Sequence, residues 1–126
     1  MKGSIIAGML LIMLALLLIF NSLYVHHVTN QLSDMAESLP ERLPRESPQQ
    51  TIATIEKIQA YLKKHEVLLG ISVSYTSIDR MTELSLTLTT CVHLHAEYDY
   101  TATRALLIDA IDDAARLEKL SARNIF

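Results

Sequence analysis

The sequence predicts an all-α chain: an N-terminal transmembrane helix followed by a small antiparallel three-helix bundle. An α+β fold with a hairpin over 71–95 is the alternative. Three observations lead there. Ile5 to Phe20 contains no charged and no polar side chain. Two later stretches, Pro48 to Leu69 and Asp99 to Leu117, repeat apolar residues at the three-to-four spacing of a helix face. Pro40, Pro44 and Pro48 punctuate a charged stretch ahead of the first of these. The expected organisation is a membrane anchor over 1–25, a helical extension of it over 26–39, a Pro-rich linker over 40–47 and a small helical domain over 48–126.

The anchor follows from length and solvent. The run IIAGMLLIMLALLLIF, extended by Gly3 and Ser4 before it and by Asn21 to Val25 after it, reaches about twenty residues. At about 1.5 Å per residue that spans roughly 30 Å of hydrocarbon. A soluble helix would keep a polar face, and this stretch has none. Tyr24 stands where an interfacial aromatic belongs. No small-x-small cleavage pattern follows the run, so the expectation is an uncleaved signal anchor rather than a removed signal peptide. Lys2 and the terminal amine precede the run, whereas the first charges after it are Asp34 and Glu37. The positive-inside rule then sets the N-terminus in the cytoplasm and the C-terminal domain outside the cell membrane.

Val25, Val28, Leu32, Met35 and Leu39 carry the helical spacing past the anchor, to an end near Ser38. His26 and His27 point in different directions on such a helix and read as solvated residues at the membrane surface. Ser47 as cap, Pro48 at the first helical position and Gln50 as capping-box partner open the next helix. Ile52, Ile55, Ile58, Leu62 and Leu69 line it, and Gly70 is expected to end it. Asp99 is expected to cap the last helix, with Leu107, Ala110, Ile111, Ala114 and Leu117 on its inner face. The tail Asn124-Ile125-Phe126 ends in two large apolar groups, which favours docking over exposure.

Residues 71–95 support two readings. Ile71, Val73 and Tyr75, then Leu84, Leu86, Leu88, Val92 and Leu94, alternate with Ser, Thr, Cys and His, the period of a strand. Ile78, Met81, Leu84 or Ser85, Leu88, Cys91 or Val92, and His95 also form a helical stripe. No Asn-Gly or Asp-Gly turn marks a hairpin.

Charge and composition narrow the function classes. Setting Lys2 aside leaves ten Lys and Arg against fourteen Asp and Glu, a net −4 for the rest of the chain. Without a basic face the expectation is no nucleic-acid partner. A single cysteine, Cys91, rules out an intramolecular disulfide and reads as a small buried side chain. Cys91, His93 and His95 form a C-x-H-x-H run that would share a face on a strand, as a zinc site requires, but no fourth ligand is evident. Glu97, Asp99, Asp109, Asp112 and Asp113 could supply an acid–base pair. Capping and a solvated helix face account for them more simply. No phosphate loop, nucleophile elbow or zinc-protease motif is present. The expectation is therefore no enzyme, no cofactor, and no catalytic or metal residue.

The chain resembles an uncharacterised bacterial family, domain of unknown function 4363. The resemblance is carried by Ile78-Asp79, by Met81, Leu86 and Leu88, by the segment Leu106 to Ala115 and by the terminal Asn124-Ile125-Phe126. It implies a short N-terminus, one membrane helix and a small helical region, and so favours helix over Thr76 to His95. It also implies a Gram-positive, often spore-forming source and a membrane-protein partner. Family members often carry a Trp before the Ile-Asp pair and a His just ahead of it. This chain has no Trp, and Tyr75 stands at the His position. The family has no assigned activity to transfer.

The functional expectation is a single-pass, membrane-anchored accessory or assembly subunit acting through protein contacts, with the lipid bilayer and another membrane protein or a second copy as partners. A three-helix domain of this size buries a modest core, which a partner would enlarge. Gly3, Ala7 and Gly8 offer small residues for a helix crossing. An extracytoplasmic sensor with a pocket near Tyr61, Tyr75 and Tyr98 is the alternative, and a metal-binding domain around Cys91 to His95 the second.

Overall fold

The structure is a computed structural model. It describes residues 1–44 and 48–125, with side chains as far as Leu117. Four helices account for nearly all of it: α1 (Lys2–Glu37), α2 (Pro48–Ser72), α3 (Tyr75–His93) and α4 (Glu97–Ile125). Among the described residues there is no strand, so 71–95 is not a hairpin.

The hydroxyl residues that give α3 its strand-like alternation are satisfied within the helix. Ser85 Oγ donates to the Thr82 carbonyl at 2.7 Å, Thr87 Oγ1 to Glu83 at 2.9 Å and Thr90 Oγ1 to Leu86 at 3.3 Å. Back-bonding of this kind removes the cost of a polar group on a buried face. Ser85 can therefore be fully buried among Ile78, Met81, Leu88, Cys91 and Val92. Ser74 starts the helix in extended conformation, its Oγ accepting from the Ser77 amide at 3.1 Å.

The helices pack in a ring, α1 on α2, α2 on α3, α3 on α4 and α4 on α1. Successive helices run antiparallel, joined by two short turns and one longer connection. The segment expected as a mere extension of the anchor is a full member of this bundle. Val25, Val28, Leu32 and Ala36 recur at helical spacing and are buried against Ile55, Ile58, Leu62, Leu88, Leu107 and Ile111. The three expected helices are thus joined by the second half of α1. Fully burying each Val or Leu contributes about 1.5–3 kcal/mol, so Val25, Val28 and Leu32 make this half-helix a substantial part of the core.

Of the Pro-rich linker, residues 40–44 are described, and they are docked. Leu39 and Leu43 are buried. The buried Tyr100 donates its hydroxyl to the Pro40 carbonyl at 2.8 Å. Arg104 reaches carbonyls at and just past the end of α1, with Nη2 on Glu37 at 3.2 Å and Nε on Leu39 at 3.1 Å. A guanidinium there satisfies orphan acceptors and meets the negative end of the helix dipole. The expected cap Ser47 lies outside the described residues, as do the side chains of the C-terminal tail.

Two expected boundaries shift, and one expected core residue is exposed. α2 continues through Gly70 to Ser72. Gly70 is buried, and a Cβ there would meet the Tyr75 ring at 2.6 Å, so it allows a close approach and does not stop the helix. α4 opens at Glu97, which puts Asp99 inside the first turn. Leu117 is exposed, unlike Leu107, Ala110, Ile111 and Ala114.

Candidate functional site

The expected metal run is dispersed by the helix. Cys91 is buried, His93 is exposed on the opposite side, and His95 lies beyond the helix end. Among the described residues no group of three His, Cys, Asp or Glu is placed to hold a metal ion. The carboxylates Glu97, Asp99, Asp109, Asp112 and Asp113 are all exposed. The three tyrosines of the expected pocket are also separate. Tyr61 is half-buried between α1 and α2, Tyr75 covers Gly70, and Tyr98 is exposed at the α3–α4 end.

What the fold does bring together lies at the seam where the apolar half of α1 leaves the bundle. Tyr24 on α1 meets His65 on α2, hydroxyl to Nδ1, at 2.7 Å. Tyr61 and His65 are one helical turn apart, which stacks them on one face. Their ring centroids are 4.5 Å apart, and those of Tyr24 and His65 are 5.7 Å apart. Burial lowers the His65 pKa from its ordinary value, and Lys64 and His27 push it the same way. A neutral imidazole protonated on Nε2 leaves Nδ1 free to accept from the Tyr24 hydroxyl. Burial, and then Tyr24, raise the Tyr61 pKa. The cluster is a polar latch between α1 and α2.

One turn further toward the apolar end, Ser72 Oγ donates to the Asn21 side-chain oxygen and also to the Leu68 carbonyl at 2.9 Å. Asn21 is the first polar residue after the apolar run. Leu17, Leu18, Phe20, Asn21, Tyr24 and Leu68 line an open apolar groove of about 370 Å³ along this junction. Beyond it α1 continues alone. Its apolar half is exposed, and Gly3 and Gly8 have open space around them. Among the described residues α1 is the one helix long and apolar enough to cross a membrane.

The sequence contains two hints of the seam: Tyr24 after the apolar run, and a Tyr and a His at helical spacing on α2. It does not pair them, because that pairing spans 41 residues. No family model, no curated protein and no solved structure matches the chain.

Proposed function

We propose that the chain is a single-pass membrane protein, N-terminus in the cytoplasm and bundle outside, that serves as an accessory or assembly subunit through protein contacts. The observation that carries this reading is the continuity of α1. One helix of 36 residues runs from an exposed apolar half into the core of the bundle without a break. The Tyr24–His65 and Asn21–Ser72 contacts then fix α2 against it. A module mounted this way presents its far end at a set height and angle to whatever it meets at the membrane.

That far end is the α3–α4 turn, at the opposite end of α3 from Ser72, about 28 Å along a helix of 19 residues. Leu94 and Tyr98 stand there 72% and 85% exposed. Large exposed apolar and aromatic side chains are typical anchors of protein interfaces. The test is purification of the full chain from gently solubilised native membranes, beside a Leu94→Asp, Tyr98→Asp variant. The expected result is a stoichiometric partner that the variant loses, with helicity and membrane retention unchanged. Recovery of the chain alone and monomeric would sink the reading.

A further inference from the structure

We propose that the α2–α3 tip is a second membrane contact, a short apolar wedge that enters the lipid surface beside α1. The proposal rests on the reading of α1 as a membrane anchor. Ser72 is hydrogen-bonded to Asn21, so the tip stands level with the end of the apolar run. No side chain from Val67 to Ile78 is charged, whereas Glu66 and Asp79 flank the stretch on either side.

The tip's large residues also face outward. Val67 and Leu68 are each 60% exposed, Ile71 74% and Tyr75 60%. Leu68 adjoins Phe20 across the groove, so this surface is continuous with the exposed flank of α1 formed by Phe20 and Leu23. A patch of this kind in water marks an interaction site. Its position beside the apolar run selects lipid as the occupant. The tip carries no basic residue for anionic headgroups, so a neutral bilayer suffices. Tyr75 suits the interfacial layer, where an aromatic ring with a polar tip is favoured.

Part of the backbone at the tip is already paired. The Val73 amide donates to the Leu69 carbonyl at 2.8 Å and the Ile78 amide to the Ser74 carbonyl at 3.3 Å. Ser74 Oγ donates to Ser77 Oγ and accepts from its amide, each at 3.1 Å. Polar groups already paired can enter the interfacial region at low cost.

The test uses the full chain carrying Cys91→Ala, reconstituted in phosphatidylcholine vesicles. An environment-sensitive fluorophore is placed on Ile71→Cys, on Val67→Cys as a second tip site, on Thr90→Cys as a site far along α3, and on Leu11→Cys within the apolar run. Some of the vesicle lipids carry quenchers, near the headgroup or near the chain ends. The expected result is a blue-shifted tip label that loses most of its emission to the headgroup-proximal quencher. Thr90 keeps its emission, and Leu11 is quenched from the chain ends. Tip labels as bright as Thr90, with Leu11 still quenched, overturn the wedge and leave the anchor intact. An unquenched Leu11 label overturns the anchor and the wedge together. Tip labels quenched only by a quencher on a second copy of the chain also overturn the wedge and assign the patch to self-association.

Discussion

His95, two residues past the end of α3, has φ 54°, in the left-handed region where a side chain crowds the following carbonyl. The Ala96 amide donates to Cys91 at 2.9 Å and the His95 amide to Val92 at 3.3 Å, the paired closing bonds of a helix that usually terminates in glycine. His95 is exposed and has no side-chain hydrogen bond among those described to offset that strain. His95→Gly is therefore expected to stabilise the bundle by about 1 kcal/mol. Urea unfolding of the full chain in detergent micelles, followed by helical circular dichroism, checks this, and an unchanged or lower midpoint counts against it. The same measurement tests His65. Its folded pKa lies below the unfolded value near 6.5, so the unfolded chain takes up the proton first. Stability from this site is complete above about pH 6.5, falls as the pH drops from there toward the lower folded pKa, and levels off below it. His65→Gln should flatten that slope. A slope that survives the substitution would place its origin elsewhere.

At the scale of the element, α3 shows best what pattern could and could not say. Its stripe of Ile78, Met81, Leu88 and Val92 was present in the sequence beside an equally regular alternation of period two. The alternation arises because Leu84, Leu86, Leu88, Val92 and Leu94 occupy both faces of the helix: Leu88 and Val92 are buried, whereas Leu86 and Leu94 are exposed. Apolar period alone does not separate the two readings; the Ser74 cap on the Ser77 amide, a local contact, favours the helix. Ser74→Ala should lower stability by about 1 kcal/mol, read as a shift in the unfolding midpoint, and Ser74→Asp should recover most of it. Loss on both substitutions alike would mean that the cap is not what matters there. Gly70 and Asp99 were legible as residues with a structural purpose, but not with the right one. A glycine that admits a neighbouring ring and one that ends a helix look the same until Tyr75 is placed against it. The stripes of α2 and α4 needed no such arbitration, because Ile55, Ile58 and Leu62, and then Leu107, Ile111 and Ala114, each follow a single period.

For the molecule as a whole, the apolar residues of α1 divide into two populations that composition alone does not separate. Leu14 is exposed and Leu32 is fully buried, although both lie in one helix. Leu32→Ala should cost the bundle about 2–5 kcal/mol, through lost burial and the cavity left behind. Leu14→Ala should leave the unfolding of the bundle unchanged. A comparable loss for both would mean that the apolar half packs against the bundle rather than standing apart from it. The spacing of Val25, Val28 and Leu32 announced that the helix continues. It could not announce what covers that face, since α2 and α4 come from far along the chain. The seam was hidden for the same reason, with Tyr24 and His65 meaningful only once α2 has folded back along α1.

The unbroken α1 also makes the bundle a lever. On the proposed membrane reading, with no hinge between Phe20 and Val25, a tilt that the apolar half adopts to match bilayer thickness is passed on to Leu94 and Tyr98 at the opposite extremity. One residue inserted directly after Phe20 turns everything beyond it by about 100°, so a partner on one side of the molecule would lose its docking face while the Asn21–Ser72 and Tyr24–His65 contacts and the bundle core beyond the insertion stayed intact.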